Sequence, residues 1–337
     1  MIHFDRTKAD AARHRSGLTR VSDRLAAGLG AEAQAVQWAD WDLRVRRDDW
    51  FVTAELFSEA ERPGFTAFLD SRACRTAAVF HDAIPLKHPH ITWPQSVARH
   101  PGYMKLLARF DRVLAVSAAS KEELEGFWRW LGLERTPPVA VLPLGADFNG
   151  EPRVTRRTSG AAVPQLLSVG IIEPRKNQAL LLDGCERLWS EGLRFELHLA
   201  GRVNPHFGRP IARRARALAR RHPLHVHESP DDRVVAGLYR TVRATVFPSI
   251  AEGCGLPLIE SLWMGVPCVC SDLPVLRENA DGGGCLPVAS GDVMAWINAL
   301  RQVLTDDALL AQLADQATSR PLPTWTETAR RLRDALR

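Results

Sequence analysis

Long apolar runs are missing from this chain of 337 residues. No stretch approaches the roughly 18 uninterrupted apolar residues of a transmembrane helix, so a membrane-spanning protein is not expected. The opening Met1-Ile2-His3-Phe4-Asp5-Arg6 has neither an apolar core nor a cleavage site, which argues against export. The six cysteines (Cys74, Cys185, Cys254, Cys268, Cys270 and Cys285) are scattered and form no C-x-x-C pair. That excludes a disulfide framework and a thiolate zinc site, and reads as small buried residues in a reducing cytoplasm. Lysine is scarce: after Lys121 the remainder of the chain holds one, Lys176.

Hydrophobic residues make up 45% and charged residues 25%, ordinary values for a globular chain and too apolar for a disordered one. The length suits two domains. The formal charge of +5, with a pI near 9.1, permits an anionic substrate, a membrane surface or nucleic acid, and selects none of them.

Short apolar runs alternate with helical patterns from end to end, the α/β habit of a parallel sheet covered by helices. Strands are expected at 2–4, 34–37, 76–80, 113–117 and 139–143, with helices over 19–29, 65–72, 94–110 and 118–131 between them. The rhythm restarts with strands at 165–169, 195–200, 224–227, 244–247, 267–270 and 285–287. Helices are expected at 178–191, 211–222, 232–242, 256–264, 293–305 and 308–317. The polar, Gly- and Pro-containing stretch 145–162 reads as a linker, giving domains of 1–150 and 151–320. A last amphipathic helix, 325–336, follows Pro321-Leu322-Pro323.

Four strand-end stretches carry chemistry. The first, Ser249-Ile-Ala-Glu252-Gly253-Cys254-Gly255-Leu256-Pro257-Leu-Ile-Glu260, follows a strand and opens a helix. A helix start offers backbone N–H groups and a positive dipole end, suited to a phosphate, while Glu252 and Glu260 suit sugar hydroxyls. In the second, Val169-Gly170-Ile-Ile-Glu173-Pro174-Arg175-Lys176-Asn177, Arg175 and Lys176 offer a bidentate fork and a point charge to a diphosphate. The third, Phe80-His81-Asp82-Ala-Ile-Pro85, pairs an imidazole with a carboxylate where a reacting hydroxyl could be positioned. The fourth, Arg15-Ser16-Gly17-Leu18-Thr19-Arg20, offers one glycine, Gly17, as a phosphate-loop signal. Against each stands an ordinary reading: a loop or solvated glutamate, a basic turn, a satisfied core histidine.

Taken together these residues resemble the retaining GT-B glycosyltransferases of family 4 (glycosyl transferases group 1). The resemblance rests on Glu252-x7-Glu260, Gly265-Val266-Pro267, Ser271-Asp272-Leu273-Pro274, Glu173-Pro-Arg-Lys176-Asn177, His81-Asp82-x-x-Pro85 and Leu142-Pro143-Leu144-Gly145-Ala146-Asp147, in the family's order. It implies two Rossmann-like domains facing across a cleft, with helix 325–336 crossing back to the first. By position, Glu260 would take ribose hydroxyls, Glu252 the donor sugar, and the backbone of Gly253, Cys254, Gly255 and Leu256 sugar and phosphate. Arg175 and Lys176 would stabilise the departing diphosphate beside Gly170, His81 would meet the sugar, and His227 would lie where the base is read. Ile171 stands where many members carry an arginine, and Gly17 stands alone where many have paired glycines.

The implied reaction is retaining, metal-independent hexosyl transfer from a nucleotide-diphosphate sugar, GDP-mannose or another hexose donor, to a hydroxyl of a glycan or lipid-linked glycan. The donor is a co-substrate, and no metal or other cofactor is expected. The D-x-D spacing of Asp40-Trp41-Asp42 lies outside the matched motifs and reads as incidental. Alternatives are a GT-B-like nucleotide-sugar epimerase and a non-catalytic nucleotide-sugar binder. The cluster Arg213, Arg214, Arg216, Arg220 and Arg221 lacks interleaved aromatics, so nucleic acid is not an expected partner. The expected location is the cytoplasm, with peripheral contact of the basic residues with anionic lipid at the inner membrane face compatible with the charge.

Overall fold

The computed structural model describes residues 1–12, 16–41, 45–157 and 162–337. It divides into two compact units, 1–145 with 323–337, and 146–322. Each unit is built on a six-stranded parallel sheet.

The first sheet holds β1 (Ile2–Asp5), β2 (Ala33–Val36), β3 (Trp50–Thr53), β4 (Arg75–Phe80), β5 (Arg112–Ala115) and β6 (Val139–Val141), in the order β2-β1-β3-β4-β5-β6. The second holds β7 (Gln165–Val169), β8 (Glu196–Ala200), β9 (Leu224–His227), β10 (Ala244–Phe247), β11 (Cys268–Ser271) and β12 (Cys285–Val288), in the order β12-β11-β10-β7-β8-β9. The central strands are mostly apolar and closed to solvent, β3 and β10 at every position, as parallel strands covered on both faces are. The second core gathers Leu166, Leu181, Leu197, Leu199, Val246, Val269, Trp296 and Leu300, all closed to solvent. Two successive Rossmann-like units of this kind are the GT-B architecture.

Most expected elements are present within a few residues of their sequence bounds, and the differences have physical causes. The strand Trp50–Thr53 was not expected: its four residues are too few to show a period, yet it sits between β1 and β4 at the centre of its sheet. The helix Pro274–Ala280 was also passed over, since a seven-residue segment carries little periodicity. The stretch read as a linker is in good part a strap on the second unit. Phe148 packs edge-on against Tyr239 at 5.5 Å, Val154 donates to the Trp263 carbonyl at 3.1 Å, and Arg153 reaches the Leu262 and Ala317 carbonyls. The unit boundary accordingly falls after Gly145, with Ala146 and Phe148 already buried. Positions 158–161 of that stretch lie outside the described residues.

The terminal helix Trp325–Ala335 belongs to the first unit, packed on the helix Gly17–Leu29. Glycines make the approach: a Cβ on Gly28 would stand 2.7 Å from that of Ala329, and one on Gly145 would overlap the Trp325 backbone nitrogen. All six cysteines are free thiols, Cys254 half-buried and the other five buried.

Candidate functional site

In the second sheet the strand order reverses between β7 and β10. In open α/β sheets the crevice at the carboxyl ends of two such strands is the usual ligand position. The loops that follow these two strands are 170–177 and 248–255, and they are tied together: Ile250 donates its backbone N–H to the Arg175 carbonyl at 2.8 Å.

Lys176 and Glu252 meet there. Lys176 Nζ donates to Glu252 Oε1 at 2.6 Å, with the lysine side chain 9% and the glutamate 7% exposed. Gly170, at φ +147°, leaves room for the lysine stem, whose Cε would stand 3.3 Å from a Cβ at that position. The ammonium lies 4.4 Å from the Phe247 ring centre, a cation–π contact. Burial would push the Glu252 carboxyl up, but Lys176 and Arg175 override it and hold the group below the ordinary carboxylate range. Burial pulls Lys176 below the usual lysine value, opposed by the Glu252 charge. The pair is a fixed dipole inside the protein, aimed along one ion pair.

Arg175 is oriented rather than mobile. Its Nε donates to Glu173 Oε1 at 2.9 Å and its Nη1 to the Ala251 carbonyl at 3.0 Å, with Glu252 Oε2 3.2 Å away. Both cations expected to address a diphosphate are thus already matched to carboxylates, and Arg175 also fixes the loop that carries Glu252. Glu173 and Asn204 escaped the sequence reading as site residues. Buried Glu173 links Arg175 to Asn204, whose Nδ2 donates to Glu173 Oε2 at 2.8 Å; a carboxylate two residues before an arginine gives no period to detect. Gly201 was missed as well: a Cβ there would overlap the Gly170 carbonyl oxygen, so the ends of β7 and β8 meet only through glycine.

The helix Leu256–Trp263 starts at Gly255, left-handed at φ +75°, where a Cβ would lie 2.6 Å from Leu276 Cδ2. Pro257, which carries no N–H, follows in the first turn, and the Leu258 amide donates to the Gly255 carbonyl at 2.9 Å. Cys254 precedes it, its carbonyl held by Asn279 Nδ2 at 2.5 Å. Burial, then Glu252, Glu260 and Glu278, push the Cys254 thiol up to about 12, so it is no nucleophile. Glu260 is buried at 3% exposure, not a solvated helix residue. His227 ends β9, its Nε2 3.0 Å from His198 Nδ1. The β9 carbonyl of His227 accepts from Gly201 at 3.0 Å.

In the first unit His81 follows β4, its Nε2 2.8 Å from the Ala54 carbonyl. Since a carbonyl only accepts, Nε2 carries the proton and the neutral ring keeps its lone pair on Nδ1. Burial lowers the His81 pKa, against the Ala54 bond and the Asp82 charge. His81 and Asp82 do not bond to each other: Asp82 Oδ1 accepts from the Ile84 amide at 3.0 Å, shaping the turn into Pro85. Gly17 opens the helix Gly17–Leu29 behind the Ser16–Thr19 capping box, with nothing within 4 Å of a Cβ, so no close approach demands glycine there. Arg15, and Asp42 of the D-x-D spacing, lie outside the described residues. Among the described residues no helix is long and apolar enough to cross a membrane.

Residues 163–306 match the family Glycosyl transferases group 1. The match lies within the second unit. The chain is 29% identical over 262 residues to the serotype-specific mannosyltransferase WbdA of Escherichia coli, an alignment covering 72% of this chain and 32% of that protein. It is 34% identical over 146 residues to O-antigen chain mannosyltransferase B of Escherichia coli, covering 42% of this chain and 37% of that one. The chain therefore spans about a third of the length of the curated relatives it matches first. Among solved structures, Anabaena HepE in complex with UDP and glucose superposes with a TM-score of 0.76 at 14% identity, over 99% of this chain and 98% of that one. That superposition agrees with the GT-B fold read from the two six-stranded sheets.

Proposed function

We propose that this protein is a retaining glycosyltransferase of family 4 that moves a hexose from a nucleotide-diphosphate sugar to a hydroxyl of a glycan or lipid-linked glycan. The observation that carries the reading is the buried Lys176–Glu252 pair at the β7/β10 switch point, beside the helix start at Gly255. The names of the mannosyltransferase relatives favour a mannose donor, of GDP-mannose type, and O-antigen assembly.

The chemistry follows from charges held in place. Breaking the anomeric C–O bond sends its electron pair to the diphosphate, and the new C–O bond forms to the acceptor oxygen on the same face. The acceptor proton passes to a departing diphosphate oxygen. Lys176, held against Glu252, places positive charge where the leaving oxygen develops negative charge, and the helix that starts at Gly255 adds the positive end of its dipole. Glu252 and Glu260 accept from hydroxyls of sugar and ribose. Metal is not required for that charge balance, so turnover should persist in EDTA.

A panel of GDP-, UDP-, dTDP- and ADP-hexoses tests the reading, scored by nucleotide release with and without acceptor glycan. Acceptor-dependent release from one donor, and an α-linked product from an α-linked donor, are expected. A modified free sugar formed from donor alone would mean an epimerase, and binding without release a silent binder. Either would overturn the proposal.

A further inference from the structure

A second cluster of chemistry lies on β8 and β9, apart from the pair at β7 and β10. Glu196 and His198 are two residues apart on β8 and so share one face of the sheet. The register sets His198 opposite His225 of the edge strand β9. Glu196 Oε2 lies 3.5 Å from His198 Nε2 and 3.6 Å from His225 Nε2. The three donor atoms all fall within 4.8 Å of one another. The His198 side chain is only 9% exposed, and its Nε2 makes no hydrogen bond. A buried imidazole nitrogen with no partner is uncommon and costly.

We propose that Glu196, His198 and His225 form a site for a divalent first-row transition ion, with Zn2+ the best match. Two imidazoles and a carboxylate are a zinc-type donor set, whereas Ca2+ and Mg2+ want oxygen alone. Ligand bonds of about 2.05 Å in a tetrahedron place donors about 3.3 Å apart. The separations of 3.5 and 3.6 Å are within a few tenths of that edge. His225, with its side chain 48% exposed, can turn to close the third, and leaves a fourth position to water. The outer contacts are those a metal site needs. Gln165 Nε2 donates to Glu196 Oε2 at 2.8 Å and steadies the carboxylate. With Nε2 of His198 on the metal, its proton sits on Nδ1 and is donated to His227 Nε2, 3.0 Å away.

The site lies apart from the Lys176–Glu252 pair but touches His227, where the base is expected to be read, so its test does not use turnover. Tag-free full-length protein is dialysed against Zn2+ alone, and separately against Co2+ alone, then assayed for bound metal and for the visible Co2+ spectrum. One equivalent of Zn2+, a Co2+ band in the four- to five-coordinate range, and a rise in melting temperature on adding Zn2+ are expected. His225→Ala should weaken Zn2+ binding at least 100-fold and abolish the melting shift, and Glu196→Gln should weaken it at least 10-fold. His206→Ala, in another part of the unit, should bind as the parent does. Zn2+ binding unchanged in His225→Ala and in a second variant, His225→Asn, or no stoichiometric binding by the parent, would overturn the proposal. Should Glu196→Gln fold poorly, the exposed His225 variants decide alone.

Discussion

Lys176 Nζ and Glu252 Oε1 stand 2.6 Å apart with both side chains nearly closed to solvent, and they come from loops 76 residues apart in the chain. Removing either partner leaves a charge in a place where water cannot pay for it. Lys176→Met should reduce turnover at least 100-fold and lower unfolding stability by about 3 kcal/mol. The double variant Lys176→Met/Glu252→Gln should regain much of the stability and none of the turnover. Urea unfolding of the four proteins of this cycle, with nucleotide release measured on each, checks both halves.

Arg175 is a positioning residue for the Glu252 loop as well as a cation. Arg175→Lys keeps the charge but cannot hold Glu173 and the Ala251 carbonyl together. An expected loss of about 10-fold or more in kcat, with the fold intact by circular dichroism, separates this role from simple charge. Full activity in Arg175→Lys would remove it.

Two glycines of unlike surroundings should respond in opposite directions. Gly201→Ala drives a Cβ into the Gly170 carbonyl, so stability should fall by about 2 kcal/mol or more. Gly237 lies inside the helix Asp232–Thr241 with nothing within 4 Å of a Cβ. Gly237→Ala should therefore stabilise by about 0.5–1 kcal/mol. Thermal melts of both variants give the comparison.

Acid should weaken the fold from about pH 6.5 downward. Burial lowers the pKa of His81, His100 and His198 in the folded protein, His198 to about 4. Unfolded, each titrates near 6.5, so below that pH unfolding takes up protons. The stabilisation is fully present above pH 6.5 and is lost as pH falls, by up to about 1.4 kcal/mol per pH unit for each such group. Urea unfolding in EDTA at pH 7.5, 6.5 and 5.5 measures the slope, and His198→Gln should flatten it.

Much of this was legible because the motifs sit at strand ends. The one late lysine and the Glu252-x7-Glu260 spacing point to loops that the sheet then brings together, and most strands of the second unit carry a short apolar core that shows in the sequence. What was hidden is relational. His81 and Asp82 are neighbours in the chain, yet their side chains bond to Ala54 and Ile84 instead of to each other. Gly201 looks like any strand-end glycine until β7 and β8 are laid side by side. Glu196, His198 and His225 become a cluster only once the register of β8 on β9 is known. Trp50–Thr53 is too short for a period and is placed by its neighbours on both sides.

The first unit is discontinuous, closed by the terminal helix on Gly28 and Gly145. On a ribosome the two units therefore finish in reverse order of their beginnings. All of 146–322 has been made, and can pack, before Trp325 arrives to cover the helix Gly17–Leu29. Until then the first unit waits with the apolar surface that Trp325, Ala329 and Leu332 later bury still open to water. A nascent chain released at Leu322 would keep an intact second unit joined to a first that has lost its final layer.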